Sequence, residues 1–308
     1  MQFLENLPIV VCGKGGATMK ESVQYKIFKV INVLILLLVV YVTLFPFLNV
    51  VAQSFSGEAQ INAGKVGLIP QGFNVETYQT VLKDHQFWVS YKNTVLYTVV
   101  ATSISMVMTT MFAYALSKKR LAGRQFFTKF AVFTMFFSGG LIPNYILIQQ
   151  LGWGNTIWAV VVPGAISVFN MLIMKSFFEN IPEELEEAAS IDGSSTYGTL
   201  FKIILPLSKP ILATMVLFYA VGNWNSWFSA FLYFDQKELF PVTLYLRNLI
   251  KGATAGLSTG ATSADNLTQI AANIKSVTMV LTVLPIIMVY PFIQKYFVSG
   301  IMLGSVKQ

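Results

Sequence analysis

An all-α integral membrane protein with six transmembrane helices is the fold class the sequence predicts, and three observations predict it. Only 11% of the 308 residues are charged and 55% are hydrophobic, against roughly 25% charged in a soluble globular domain. Mean hydropathy is +0.62. Six apolar segments, at 27–51, 89–116, 126–148, 156–178, 207–234 and 277–297, each reach the length of about 20 residues that a helix needs to cross a bilayer. The composition also closes off most chemistry. One cysteine, Cys12, and one histidine, His85, exclude a disulfide framework, a Cys/His zinc site and any Ser-His-Asp triad not built on His85. No catalytic residue and no metal ligand is assigned, and the net charge of +7 is read as membrane topology rather than nucleic-acid binding.

Residues 1–26 read as a cytoplasmic N-terminal segment. Met19, which opens the basic lead MKESVQYKIFKV, is a candidate natural start. The GKGGAT stretch fails as a phosphate loop, because Pro8 and Gly15 stand where Gly and Ser or Thr are required. No small-residue cleavage site follows the first apolar run, which therefore stays as an anchor. The bundle occupies 27–298, and 299–308 form a tail. Of the 21 Lys and Arg residues, 14 fall on the side that holds both termini, including the KKRLAGR turn at 118–124, and 7 fall on the other. That asymmetry predicts both termini in the cytoplasm. Two long outer segments, 52–88 and 235–276, are docking surfaces or solvated connectors, the second containing a small-residue stretch at 252–264 that predicts flexibility. Pro46, Pro143, Pro163 and Pro285 predict interruptions within the spans.

Between the fourth and fifth spans, at 179–206, lie six of the 14 acids: Glu179, Glu183, Glu184, Glu186, Glu187 and Asp192. Pro182 suits a first helical turn, the glutamates complement the positive end of a helix, and Ala188 and Ala189 favour helix. The expected helix runs from about Glu183 to Ser190. Gly193 then supplies a left-handed turn, and Ser194 or Ser195 caps a second helix to about Ile204 before Pro206. Leu185, Ala189, Leu200, Phe201 and Ile204 form the expected apolar side. An acidic surface helix is a poor match for an anionic membrane, so a protein partner is expected.

Glu187-Ala188-Ala189, then Gly193, then Ile203, Leu205 and Pro206 resemble, at matching spacing, the EAA loop of permease subunits in bacterial ABC importers. The flanking IPEELEEAASIDG and LPLSKPILAT, with FSGGLIPNYILIQQLG, NWNSWFSAFLYF and KYFVSGIMLGSVK, are similar to the carbohydrate branch, in the half related to the second permease of maltose-type systems and to Gram-positive oligosaccharide and polysaccharide-fragment importers. The resemblance spans about residues 20–307. It implies a cytoplasmic helix-turn-helix that docks in a cleft of an ATPase, with Glu187 against a basic residue, Ala188 and Ala189 permitting close approach, and Gly193 making the turn. It further implies a second permease, two ATPase subunits that hold ATP and Mg, and an extracellular lipid-anchored binding protein that delivers an oligosaccharide. No cofactor is expected on this chain, nor any nucleic-acid partner.

Asn223, Trp224, Asn225 and Trp227 are candidate substrate-path residues, since amides pair with sugar hydroxyls and indoles with flat sugar faces. Interhelical hydrogen bonding and an interfacial aromatic belt are the competing roles. Two other functions compete with a sugar permease: an ABC permease for another polar solute such as peptides, and an ion-coupled secondary transporter, which would need acids buried within the spans.

Overall fold

The computed structural model describes residues 23–258, 273–289 and 291. Among these every regular element is helical. The chain divides into two compact units at Asn49 and Val50. The first unit is the bulk of α1 (Val23–Ser54), 32 residues that continue through Pro46.

The second unit is built on α4 (His85–Ser117), 33 residues long. Before it come α2 (Glu58–Asn62) and α3 (Glu76–Lys83), so the expected 52–88 segment carries structure of its own. After α4 follow α5 (Arg124–Phe136), α6 (Leu141–Gln150), α7 (Trp158–Val161) and α8 (Val168–Glu179). Next are α9 (Glu184–Ile191), α10 (Thr196–Thr199), a π-helical turn over Leu200–Ile204, α11 (Leu205–Leu207) and α12 (Lys209–Trp224). The described chain closes with α13 (Phe228–Tyr233), a 3₁₀ turn at Lys237–Leu239, α14 (Val242–Ser258) and α15 (Asn273–Val289).

Among the described residues, two of the six expected spans, α1 and α4, are continuous helices long and apolar enough to cross a membrane, and up to four are present if each bent pair counts as one. Three of the remaining runs are interrupted. The run at 126–148 is α5 and α6, bent by 109°, with Ser138–Gly140 between them and Gly140 at φ +89. Hydropathy averages over two glycines, whereas the backbone turns on them. The run at 156–178 breaks between α7 and α8, around Pro163. The run at 207–234 begins after an 85° bend at Ser208 and stops at Trp224, with α13 starting separately. The last run is α15; its expected end at 297 and the two tails lie outside the described residues.

The prolines act unevenly. Pro143 sits in the first turn of α6, where a missing N–H costs nothing. Pro285 lies inside α15 and frees the carbonyls of the preceding turn. Two neighbours answer them: the Tyr91 hydroxyl donates to Leu281 O at 3.4 Å and Trp224 Nε1 donates to Thr282 O at 3.1 Å. The break before α8 is answered similarly, because Ser167 N–H donates to Tyr219 Oη at 3.1 Å and Tyr219 Oη pairs with Thr109 Oγ1 at 2.6 Å. Irregular backbone inside an apolar bundle persists only where such partners exist.

α4 packs against α8, α12 and α14. Toward its C-terminal end the core contains Tyr114, Leu116, Met171, Met174, Phe178, Ile204 and Met215. Toward its N-terminal end, Phe87 and Val81 pack with Val242, Leu246 and Val277. There the α13–α14 connection is fastened to α4: Gln86 Nε2 donates to Lys237 O at 2.6 Å, Asn93 Nδ2 to Glu238 O at 2.6 Å, and Tyr97 Oη to Leu239 O at 2.9 Å. The 252–264 stretch was expected to be flexible, yet its 252–258 portion continues α14; residues 259–272 lie outside the described residues.

Candidate functional site: an acidic hairpin at one end of the bundle

α9 carries Glu184, Glu186 and Glu187 in its first turn, where carboxylates complement the helix dipole. Its C-terminus is closed by a Schellman arrangement: Ser194 N–H reaches Ala189 O at 2.8 Å and Gly193 N–H reaches Ser190 O at 3.1 Å. Gly193 has φ +77, with open space where a Cβ would stand. Glycine is required there by backbone conformation rather than crowding. Of the two candidate caps, Ser195 serves: its Oγ accepts from Gly198 N–H at 3.1 Å. α10, the π-turn and α11 follow, carrying Ile203 and Leu205 half-buried and Pro206 exposed.

The expected apolar side is split. Ala189, Leu200 and Ile204 are buried, whereas Leu185 and Phe201 are exposed, with Phe201 62% accessible. Leu200 and Ile204 turn inward from the π-helical turn and Phe201 turns outward. Ile191 and Tyr197 of the same hairpin are exposed as well.

The acids are not equivalent. Glu179 accepts from Arg124 and, at 2.8 Å, from Lys175. Glu183 meets Lys119 at 2.9 Å, both side chains exposed, and the hydrogen bond from Lys119 holds the Glu183 carboxyl below its ordinary range. Glu186 pairs with Lys118, with side chains only 14% and 17% accessible. Tyr114 completes that pair, its hydroxyl 3.5 Å from Glu186 and its ring 4.3 Å from the ammonium. Lys118, Lys119, Glu186 and Glu187 border a cleft of about 370 Å³. Glu184, Glu187 and Asp192 are exposed and have no ion-pair partner among the described residues. The basic turn at 118–124, read from sequence as a topology signal, is therefore also the internal counterpart of the acidic segment. The signal available was the match of a basic loop with an acidic one; what sequence could not supply was their approach.

The four path candidates separate. Trp224 is buried, 8% accessible, edge-on to Tyr91 with centroids 5.8 Å apart and committed to Thr282 O. Asn225 turns back on its own helix, Nδ2 donating to Val221 O at 3.0 Å. Asn223 Nδ2 donates to Thr102 Oγ1 at 3.3 Å across α4 and α12. Trp227 is half-buried, with the Arg247 guanidinium 4.0 Å above its ring. Sequence reading missed Arg247; the signal was its i, i+4 spacing to Lys251 on an amphipathic stretch.

Residues 6–302 match the family model described as "Binding-protein-dependent transport system inner membrane component". Protein LplC of Bacillus subtilis is 39% identical over 292 residues, covering 94% of this chain and 98% of that protein. The polygalacturonan/rhamnogalacturonan transport system permease protein YtcP of the same organism is 38% identical, covering 88% and 95%. Among solved structures, a chain of a bacterial ABC transporter involved in the import of the acidic polysaccharide alginate superposes with TM-score 0.79 at 33% identity, covering 91% of this chain and all of that one.

Proposed function

Because the chain belongs to the family of binding-protein-dependent transport system inner membrane components, we propose that it forms the translocation path of an ATP-driven oligosaccharide importer, paired with a second permease. The chain is a membrane transport component of the ABC importer class. The saccharide cargo is carried over from similar proteins whose names specify polygalacturonan, rhamnogalacturonan or alginate. ATP and Mg belong to two separate ATPase subunits, and a lipid-anchored extracellular protein hands over the sugar. Both termini and the acidic hairpin face the cytoplasm.

The carrying observation is the division of labour among the acids. Glu179, Glu183 and Glu186 are occupied by bases of this chain: Glu183 and Glu186 tie the start of α9 to Lys119 and Lys118 at the end of α4, and Glu179 ties the end of α8 to Arg124 of α5. Glu187, one helical position beyond Glu186, is exposed and free of an ion pair among the described residues. Exposed Ala188 next to it adds no bulk that would hold a partner away. Ile191, Tyr197 and Phe201 add apolar area, of the kind that marks a protein interface. An unpaired carboxylate beside apolar anchors suits a basic, partly apolar cleft on an ATPase, the charge selecting the partner and the rings supplying contact. Gly193 sets the angle of the hairpin, while Ile203, Leu205 and Pro206 join it to α12. In the path, Asn223 and Trp227 remain available to a sugar; Trp224 and Asn225 are committed to the bundle.

Affinity purification of the tagged chain from its native membrane tests the assembly. A second permease and an ATPase should co-purify, the ATPase at two copies per permease pair. Cysteines placed at Lys119 and Tyr197 should resist an impermeant thiol reagent added to intact cells, while one at Thr80 reacts. Recovery of the chain with no ATPase, or the reverse labelling pattern, contradicts the reading.

A further inference from the structure

We propose that the elbow between α5 and α6, at Ser138–Gly140, is covered by the second permease, with the phenylalanine row of α5 as the apolar part of the contact. The proposal rests on the paired-permease reading above and names the surface that this chain contributes to the pair.

The turn at 118–124 gathers Lys118, Lys119, Arg120 and Arg124, which places the start of α5 at one face of the membrane. From Arg124 the 13 residues of α5 rise about 20 Å, against a hydrocarbon layer of about 30 Å. The elbow therefore lies within the apolar layer, and any tilt of α5 leaves it farther from the opposite face. There the chain leaves helix: α6 sets off at 109° to α5, and Gly140 has φ +89. Gly140 N–H finds Ser138 Oγ at 3.2 Å. The amides of Ser138, Gly139, Leu141 and Ile142 meet no acceptor among the described residues. Lipid cannot serve such groups, and irregular backbone at this depth persists only when it is buried in protein or lines water.

Residues 133–147 are exposed without a break, all round the chain rather than along one stripe, so the described bundle does not supply the cover. Most of α1 is exposed too. As a continuous helix, α1 suits lipid, and the elbow does not. Water is the other cover the backbone would accept, and the side chains oppose it. Phe126, Phe130, Phe133 and Phe137 follow one another at i, i+4, i+7 and i+11, along one face. Phe126 stacks on Phe130 with centroids 6.2 Å apart and Phe133 on Phe137 at 4.3 Å. All four are exposed, and rings left in water forfeit the burial that makes aromatic side chains effective at interfaces. Apolar helices of a second membrane subunit, with a side-chain oxygen aimed at the open amides, meet both demands. Residues 133–147 with Phe126 and Phe130 also approach the roughly 20–30 residues that one side of a standard protein interface uses.

The test is photocrosslinking in the complete importer, with benzoylphenylalanine placed singly at Phe133, Phe137 and Ile142 and the products identified by mass spectrometry. Each position should join this chain to the second permease. In a Cys12→Ser background, a cysteine at Ser138 is treated with a water-soluble maleimide; shielded from water, it should react about tenfold or more slowly than one at Thr80. Phe133→Ala combined with Phe137→Ala should lower recovery of the second permease on the tagged chain about tenfold or more, the loss expected of two aromatic anchors, with equal tagged chain in the membrane. Crosslinks only to lipid, to the binding protein or to a second copy of this chain overturn the proposal. So does a cysteine at Ser138 that labels as fast as the one at Thr80, because the elbow then lines a water-filled path. Recovery of the second permease and the ATPase on the unmodified chain is recorded in the same membranes. If both are recovered and the crosslinks lie elsewhere, only the surface assignment fails; if neither is recovered, the importer reading fails with it.

Discussion

Removing Lys118 should loosen the acidic hairpin without disturbing membrane insertion, and the size of the effect follows from its surroundings. Exposed ion pairs contribute about 0.2–1 kcal/mol, and breaking a fully buried pair costs about 3–5 kcal/mol. The Lys118–Glu186 pair lies between, with side chains 17% and 14% accessible. Tyr114 contributes on both sides, as a hydroxyl near the carboxylate and a ring beneath the ammonium. Discounting the buried figure for this residual solvent gives a coupling energy of about 1–2 kcal/mol between Lys118 and Glu186. The assay is a double-mutant cycle with Lys118→Gln, Glu186→Gln and the pair, read by SDS-titrated unfolding of the purified complex. Protease sensitivity of the 184–199 segment is followed alongside. The single variants should each expose that segment, and the double variant should be less destabilised than the sum of the singles. Sites that do not interact add to within about 0.3–0.5 kcal/mol; a coupling inside that margin refutes the idea that the basic turn holds α9 in place.

Further consequences can be checked separately. Gly193→Val should cost about 1–2 kcal/mol, the penalty of a left-handed residue, and impair coupling. Gly193→Asn should be tolerated, because asparagine accepts that conformation and no atom lies within 4 Å of the added Cβ. Tyr219→Phe strands both Ser167 N–H and Thr109 Oγ1 and should cost about 1–3 kcal/mol in the same unfolding assay; an unchanged midpoint counts against the break-repair role. Trp224→Phe should lower stability through loss of the bond to Thr282 O yet leave sugar affinity unchanged, which separates a structural tryptophan from a path residue. The Tyr245 hydroxyl donates to Asp84, and burial, with the Asp84 bond and charge, raises its pKa above the ordinary 10. A raised folded-state pKa means its stabilisation is complete below pH 10 and lost as pH rises beyond it. Alkaline unfolding of the unmodified protein should therefore set in earlier than that of Tyr245→Phe once each is normalised to its stability at neutral pH.

Sequence and structure agree where local chemistry decides. The Gly193 turn is legible because glycine, a preceding alanine-rich helix and a following serine cap are all local signals, and the structure forms each of them. The family is legible in the Glu187 to Pro206 spacing. The spans are less so, because hydropathy reports only that a stretch suits lipid. It reads through Ser138–Gly140, where the chain bends; the prolines mark the break near Pro163 but also point to Pro143, which sits in the first turn of α6. The breaks that do occur depend on Tyr219, Tyr91 and Trp224, residues far along the chain from the backbone groups they satisfy. Trp224 was grouped with Trp227 as an indole of the same expected span, able to stack on a sugar face, although one seals a proline-bearing helix and the other lies beneath Arg247. Likewise Lys118 and Glu186 reveal their pairing only when α4 and α9 are brought together.

Binding-protein-stimulated ATP hydrolysis by the reconstituted importer carrying Glu187→Lys tests the central claim most directly. The substitution leaves the ion pairs of Glu179, Glu183 and Glu186 in place and puts like charge against a basic partner, a juxtaposition that costs several kcal/mol. The account predicts normal insertion of the permease with stimulation and uptake lost, through failure either to bind the ATPase or to transmit its closure. Stimulated hydrolysis and uptake at the unmodified rate, with equal permease in the membrane, would contradict it and reduce the hairpin to a connector.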